Sequence, residues 1–169
     1  LGRLKKINLN SERNTKVAVA GCVGQAEGQE IIKRSPIVDL VFGPLTYHQL
    51  PEMLDEIETR PGQPNKKLVN IDIPEEDKFL QLKDSRKNLK SISSLLSVQE
   101  GCDKFCSFCV VPYTRGVEIS RPAKQILNEA QELIDIGAKE IILLGQNVNA
   151  WSQSNGKDTD MTFAQLINE

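Results

Sequence analysis

The sequence predicts an α/β protein, and three observations carry that expectation. Short apolar runs alternate with segments of helical period. The alternation occurs twice along the chain. A polar, proline-bearing stretch separates the two occurrences. Strands alternating with helices imply parallel pairing, because a parallel connection needs a crossover long enough to hold a helix.

The elements follow in order. LGRLKKINLN at 1–10 has a helix-like pattern. KVAVAGC at 16–22 is an apolar run bounded by polar residues and Gly21, which reads as a buried strand. GQAEGQEIIKRSP reads as a helix stopped by Pro36. IVDLVFG at 37–43 is a second buried strand, ended by Gly43-Pro44. TYHQLPEMLDEIETR reads as a helix with Leu50, Met53, Leu54 and Ile57 on one face. Residues 61–90 break the rhythm and read as a connection, with one short strand expected within LVNIDI at 68–73. SISSLLSVQEG at 91–101 is a strand that runs into a cysteine-bearing loop. RPAKQILNEAQELIDIG at 121–137 is an amphipathic helix, with Ile126, Leu127, Ala130, Leu133 and Ile134 expected inward, Pro122 in its first turn and Gly137 at its end. KEIILLGQN at 139–147 reads as a buried strand with polar residues at its carboxyl end. WSQSNGKDTD reads as a surface loop, and MTFAQLINE opens another helix. The expected organisation is therefore a domain over 1–60, a linker over 61–90 and a second α/β unit over 91–169, the start of a parallel barrel or an open sheet. The chain begins on Leu1 and ends on a helix-like segment, so it is expected to be an internal piece of a longer protein.

Composition narrows the function classes. Hydrophobic residues make up 39% and charged residues 26%, as in ordinary globular domains. No apolar run reaches the roughly 20 residues that cross a bilayer, so no membrane partner is expected. Four cysteines without a secretory leader point to a reducing, cytoplasmic setting rather than to a disulfide framework. The net charge of −2 predicts no polyanion partner by itself. Charge is uneven, however: residues 1–34 carry seven Lys/Arg against three Glu, and KDSRKNLK at 83–90 carries four basic residues against one Asp. Such stretches suit phosphate contacts or plain solvation equally.

The chemistry concentrates in GCDKFCSFCVVPYTRG at 101–116. Cys102, Cys106 and Cys109 stand in C-x3-C-x2-C spacing, three of the chain's four cysteines within eight residues. Three thiolates on one loop suit three irons of a cubane cluster and leave the fourth iron open. Zinc is the rival reading, but it needs a closed set of four ligands, and only the distant Cys22 or His48 could complete it. The loop follows a strand, where parallel α/β folds place their ligands. Gly145, Gln146 and Asn147 end the next strand and would open onto the same face. Arg115 suits either an anion or a neighbouring carboxylate, and Lys104 either function or solvent. Tyr113 and Trp151 are read as packing residues, and His48 as structural.

With Phe108 just before the third cysteine, this string resembles the radical S-adenosylmethionine enzymes. VQEGCDKFCSFCVVPYTRG, then SRP and LLGQNVNAW, resembles the MiaB-type methylthiotransferases of that superfamily. The resemblance is specific over 98–122 and looser over 16–59. It implies a partial N-terminal methylthiotransferase domain followed by the start of a partial TIM-like (β/α) barrel. It implies a 4Fe–4S cluster on Cys102, Cys106 and Cys109 that binds S-adenosylmethionine and releases a 5′-deoxyadenosyl radical. Phe108 would lie by the cofactor's adenine, and Gly145, Gln146 and Asn147 would support its methionine end. Cys22, taken alone a small buried residue at a strand end, would be the last ligand of a second, auxiliary 4Fe–4S cluster. The implied reaction adds a 2-methylthio group to N6-isopentenyladenosine beside the tRNA anticodon, with tRNA and a reductase or flavodoxin-type electron donor as partners and a monomeric enzyme. Alternatives are methylthiolation of a ribosomal-protein aspartate, or a non-catalytic iron–sulfur or zinc module.

Overall fold

The computed structural model describes residues 1–4, 15–58, 66–73, 79, 91–153 and 161–169. The helix-like reading of 1–10 falls largely outside these residues, and the basic stretch 83–90 lies wholly outside them. The chain forms two compact units, Leu1–Glu75 and Glu76–Glu169.

The first unit is a three-stranded parallel sheet. β1 (Ala18–Ala20) and β3 (Leu68–Asn70) flank β2 (Leu40–Phe42). The register sets Val19 opposite Val41 and Val41 opposite Val69. β2 is buried throughout because both its edges are paired and both its faces are covered. Leu40 and Phe42 pack with Met53 and Ile57 of α3 (Leu50–Glu58). Val41 packs on the opposite face with Val17, Val38 and the partly buried Ile31 and Ile32. The strand expected within 68–73 is thus present and completes this sheet.

The helix expected after β1 is instead two short helices, α1 (Cys22–Glu27) and α2 (Gln29–Arg34). Gly28 adopts a φ of 44°, which no helix interior allows, and the chain turns there. The next helix begins as a 3₁₀ turn over Pro44–Gln49 before α3.

The second unit is built on the parallel pair β4 (Ser93–Ser97) and β7 (Glu140–Leu144), with Ser93 opposite Glu140 and Ser97 opposite Leu144. The crossover between them contains α5 (Ala123–Asp135). Two antiparallel pairs were not expected: β5 (Gln99–Glu100) with β6 (Ile119–Ser120), and β8 (Ser152–Gln153) with β9 (Met161–Thr162). Each is only two residues long, too short to leave a periodic signal. The expected surface loop therefore starts as a strand, and Trp151 is buried. A short α4 (Val111–Arg115) follows the cysteine loop, and α6 (Phe163–Asn168) closes the chain with a Thr162–Gln165 capping box.

The core of this unit gathers Leu96, Val98, Ala123, Ile126, Leu133, Ala138, Trp151 and Leu166. Two expectations need correction here. Leu127 and Ile134 of α5 are exposed, because the buried stripe runs through Ala123, Ile126, Ala130 and Leu133. β7 is not buried: Ile142 and Leu144 face outward while Ile141 and Leu143 reach the core, since β7 pairs only with β4 among the described strands. Gly137 ends α5 with a φ of 111°, the Ala138 amide donating to the Leu133 carbonyl. Leu96 is fully buried at the centre of this cluster. Leu96→Ala is expected to cost about 2–5 kcal/mol, measured by denaturant unfolding of the full-length protein.

Candidate metal and cofactor site

The cysteine loop leaves the carboxyl end of the β4 segment and returns at β6. Its root is a close backbone approach. Gly101 has a φ of 81°, and a Cβ there would sit 2.0 Å from the Val117 carbonyl oxygen. The Cys102 amide donates to the Gly116 carbonyl at 3.3 Å. Only glycine combines that backbone conformation with that proximity.

The three cysteines differ in setting. Cys102 is buried at the root, Cys109 is half-buried and Cys106 is exposed. A turn joins the last two, the Cys109 amide donating to the Cys106 carbonyl at 2.9 Å. Among the described residues, no three His, Cys, Asp or Glu side chains converge on one point as a preformed metal cage. The loop carries the donors together, without a convergent set of thiols. Cys22 stands at the start of α1 in the first unit.

The apex of the loop is apolar and open. Phe108 is 92% exposed, and Phe105 packs edge-on to Tyr113 with ring centroids 6.3 Å apart. Tyr113 is 70% exposed, its ring meeting that of Phe105. Phe105 is the one non-glycine residue with positive φ among the described residues, at 47°. Such a conformation costs of order 1–3 kcal/mol and tends to cluster at functional sites. Arg115 pairs with Glu100, Nη1 to Oε1 at 2.8 Å. Lys104 and His48 are exposed.

The structure brings Gly145, Gln146 and Asn147 to the root of this loop. The Gly101 amide donates to Gln146 Oε1 at 2.7 Å. Asn147 Nδ2 donates to Glu118 Oε2 at 3.3 Å, and the Glu118 amide donates to Asp103 Oδ1 at 3.0 Å. Gln99, which sequence reasoning did not single out, sits between the two strand ends. It is 1% exposed. Its Nε2 donates to the Gly101 carbonyl at 2.8 Å, and its Oε1 accepts from the Asn147 amide at 3.1 Å. The available signal was a lone amide after the apolar LLSV run, since a polar side chain buried in a strand must find partners.

Arg121 was also missed. It is buried beside the site, with Nη1 2.5 Å from Glu129 Oε2 and 3.2 Å from the Ser97 carbonyl oxygen. Its guanidinium carbon lies 5.8 Å from the centroid of the Phe79 ring. Its own carbonyl accepts from Trp151 Nε1 at 2.9 Å. These contacts fix the segment that follows the loop.

A thiol-rich loop thus lies at the carboxyl end of a parallel strand and is tied to the end of the neighbouring strand. Residues 96–158 match the model of the radical SAM superfamily. The whole chain is similar to several enzymes called tRNA-2-methylthio-N(6)-dimethylallyladenosine synthase. The one from Ruegeria pomeroyi is 55% identical over 99% of this chain. Those from Roseobacter denitrificans and Agrobacterium fabrum are 52% and 47% identical, each over 99% of this chain. The chain spans 36%, 36% and 37% of the lengths of these three relatives. No helix among the described residues is long and apolar enough to cross a membrane.

Proposed function

We propose that the protein containing this chain is a radical S-adenosylmethionine methylthiotransferase that adds a 2-methylthio group to N6-isopentenyladenosine beside the tRNA anticodon. One observation carries the reading: the loop of Cys102, Cys106 and Cys109 is hydrogen-bonded at its root to Gln146 and, through Gln99, to Asn147. The names and high identity of the relatives support the tRNA substrate.

The donor set fits a 4Fe–4S cluster. It offers three thiols within eight residues of one loop. In this reading Cys102, Cys106 and Cys109 hold the cluster. When bound, the cluster supplies one electron and an open iron for S-adenosylmethionine. Gly145, Gln146 and Asn147 support the methionine end of that cofactor, and the exposed Phe108 lies by its adenine. Cys22 contributes to an auxiliary cluster. Residues 1–60 together with β3 (Leu68–Asn70) belong to the N-terminal methylthiotransferase domain, the connection follows β3, and 91–169 open a partial TIM-like barrel. An external reductase supplies the electron to a monomeric cytoplasmic enzyme.

Anaerobic reconstitution of the full-length protein with iron and sulfide tests this. A broad visible absorption that shifts on adding S-adenosylmethionine is expected, and Cys106→Ser is expected to lose that response and reduce activity to background. Nucleoside mass spectrometry of tRNA from cells lacking the protein should show loss of the 2-methylthio group. A colourless protein holding stoichiometric zinc, or unchanged tRNA, refutes the reading.

A further inference from the structure

We infer that Gln99 is a positioning residue that couples the root of the cysteine loop to the end of β7. It thereby holds the cluster ligands and the S-adenosylmethionine-facing backbone in one geometry. The inference rests on the proposed function for what the two sides bind, but the coupling itself rests on Gln99's own contacts.

Those contacts form a closed circuit. Nε2 of Gln99 donates to the Gly101 carbonyl, the residue before the first cysteine. Oε1 of Gln99 accepts from the Asn147 amide, 48 residues away. The Gly101 amide donates in turn to the side chain of Gln146. Both polar ends of one buried amide are therefore used, one on each side of the site. Gly145 makes room for it: a Cβ at position 145 would lie 2.6 Å from Gln99 Oε1 and 3.2 Å from the Val148 Cα. The glycine at the end of β7 thus has a specific steric reason, which is the glutamine beneath it. A side chain serving only to fill the core would need neither end satisfied by opposite strands, and an apolar residue would fill the space without the desolvation cost of an amide.

Both ends can be cut together, or the Gly101 end alone. Gln99→Leu keeps the volume and removes both bonds. Gln99→Glu keeps an acceptor for the Asn147 amide but turns an oxygen toward the Gly101 carbonyl. Hydrogen exchange is measured on the full-length protein without its clusters, followed by S-adenosylmethionine affinity after reconstitution. In Gln99→Leu, exchange at residues 145–147 is expected to accelerate roughly tenfold, the change that one net hydrogen bond supports. Exchange in α5 should stay at the wild-type rate. In Gln99→Glu, the Asn147 amide should remain protected while the loop over 101–117 exchanges faster. Both variants should bind S-adenosylmethionine about tenfold more weakly. Wild-type exchange at 145–147 in Gln99→Leu overturns the inference. So does a uniform acceleration that includes α5, which would mark a merely structural residue. A wild-type protein that fails to respond to S-adenosylmethionine would overturn the proposed function, while the exchange pattern would still decide the coupling.

Discussion

Glu129→Ala is expected to destabilise the second unit by about 3–5 kcal/mol, the usual consequence of removing one partner of a buried ion pair. Arg121 is only 1% exposed, so its charge cannot turn to water once Glu129 is gone. Its remaining partners among the described residues are neutral: the Ser97 carbonyl, Gln125 Oε1 at 3.4 Å and the Phe79 ring. Nη2 lacks a hydrogen bond among the described residues. Denaturant unfolding of the full-length protein measures the loss. Replacing both partners, as Arg121→Met with Glu129→Leu, should recover most of it, because the pair's desolvation cost then disappears with its attraction. A loss below about 1 kcal/mol for Glu129→Ala, the scale of a solvent-screened pair, refutes the argument.

Gly101→Ala should have a comparably large effect, and it acts on the site itself. The left-handed backbone alone costs an alanine roughly 1–2 kcal/mol. The overlap with the Val117 carbonyl, 2.0 Å from the added carbon, adds roughly 1–3 kcal/mol. The nearest atoms are backbone atoms of Gly116 and Val117, so no flexible side chain can yield. Relief requires opening the root of the cysteine loop. The reconstituted full-length variant is therefore expected to lose iron to the level of the Cys106→Ser protein. Gly137→Ala is the control: φ there is 111°, yet nothing lies within 4 Å. It should lower stability by only about 1 kcal/mol and leave iron content unchanged. Equal iron loss in both variants would show that backbone strain, not the pinch at the root, is responsible.

Much of this architecture was legible before any coordinates. β2 announced itself because a strand buried on both faces must be a continuous apolar run, as Leu40, Val41 and Phe42 are. α5 was readable from its period and from Gly137. Two of its five expected inward residues were misplaced, because a stripe read at helical period does not fix its width. Gly28 looked like a tolerable glycine inside a helix until its positive φ showed a break. The two-residue strands left no pattern to read. At the site, spacing revealed the three cysteines because thiol chemistry needs those atoms close together. Gln99 and Arg121 were harder to see. Their importance comes from partners 24 and 48 residues distant in sequence, Ser97 and Asn147. A single polar letter carries no record of what it will meet.

The tether between Gly101 and Gln146 spans 45 residues of sequence. It therefore also sets an order of events during synthesis. A chain emerging amino end first presents all three cysteines before β7 exists. At that stage Gly101 and Gln99 have no distant partners, and closing so long a segment requires β7 to pair with β4 first. The loop is consequently fastened at its base only after β7 has emerged and paired. A cluster delivered to the nascent chain would meet three thiols on an unanchored segment, whereas one delivered after β7 docks would meet a loop already fastened at its base.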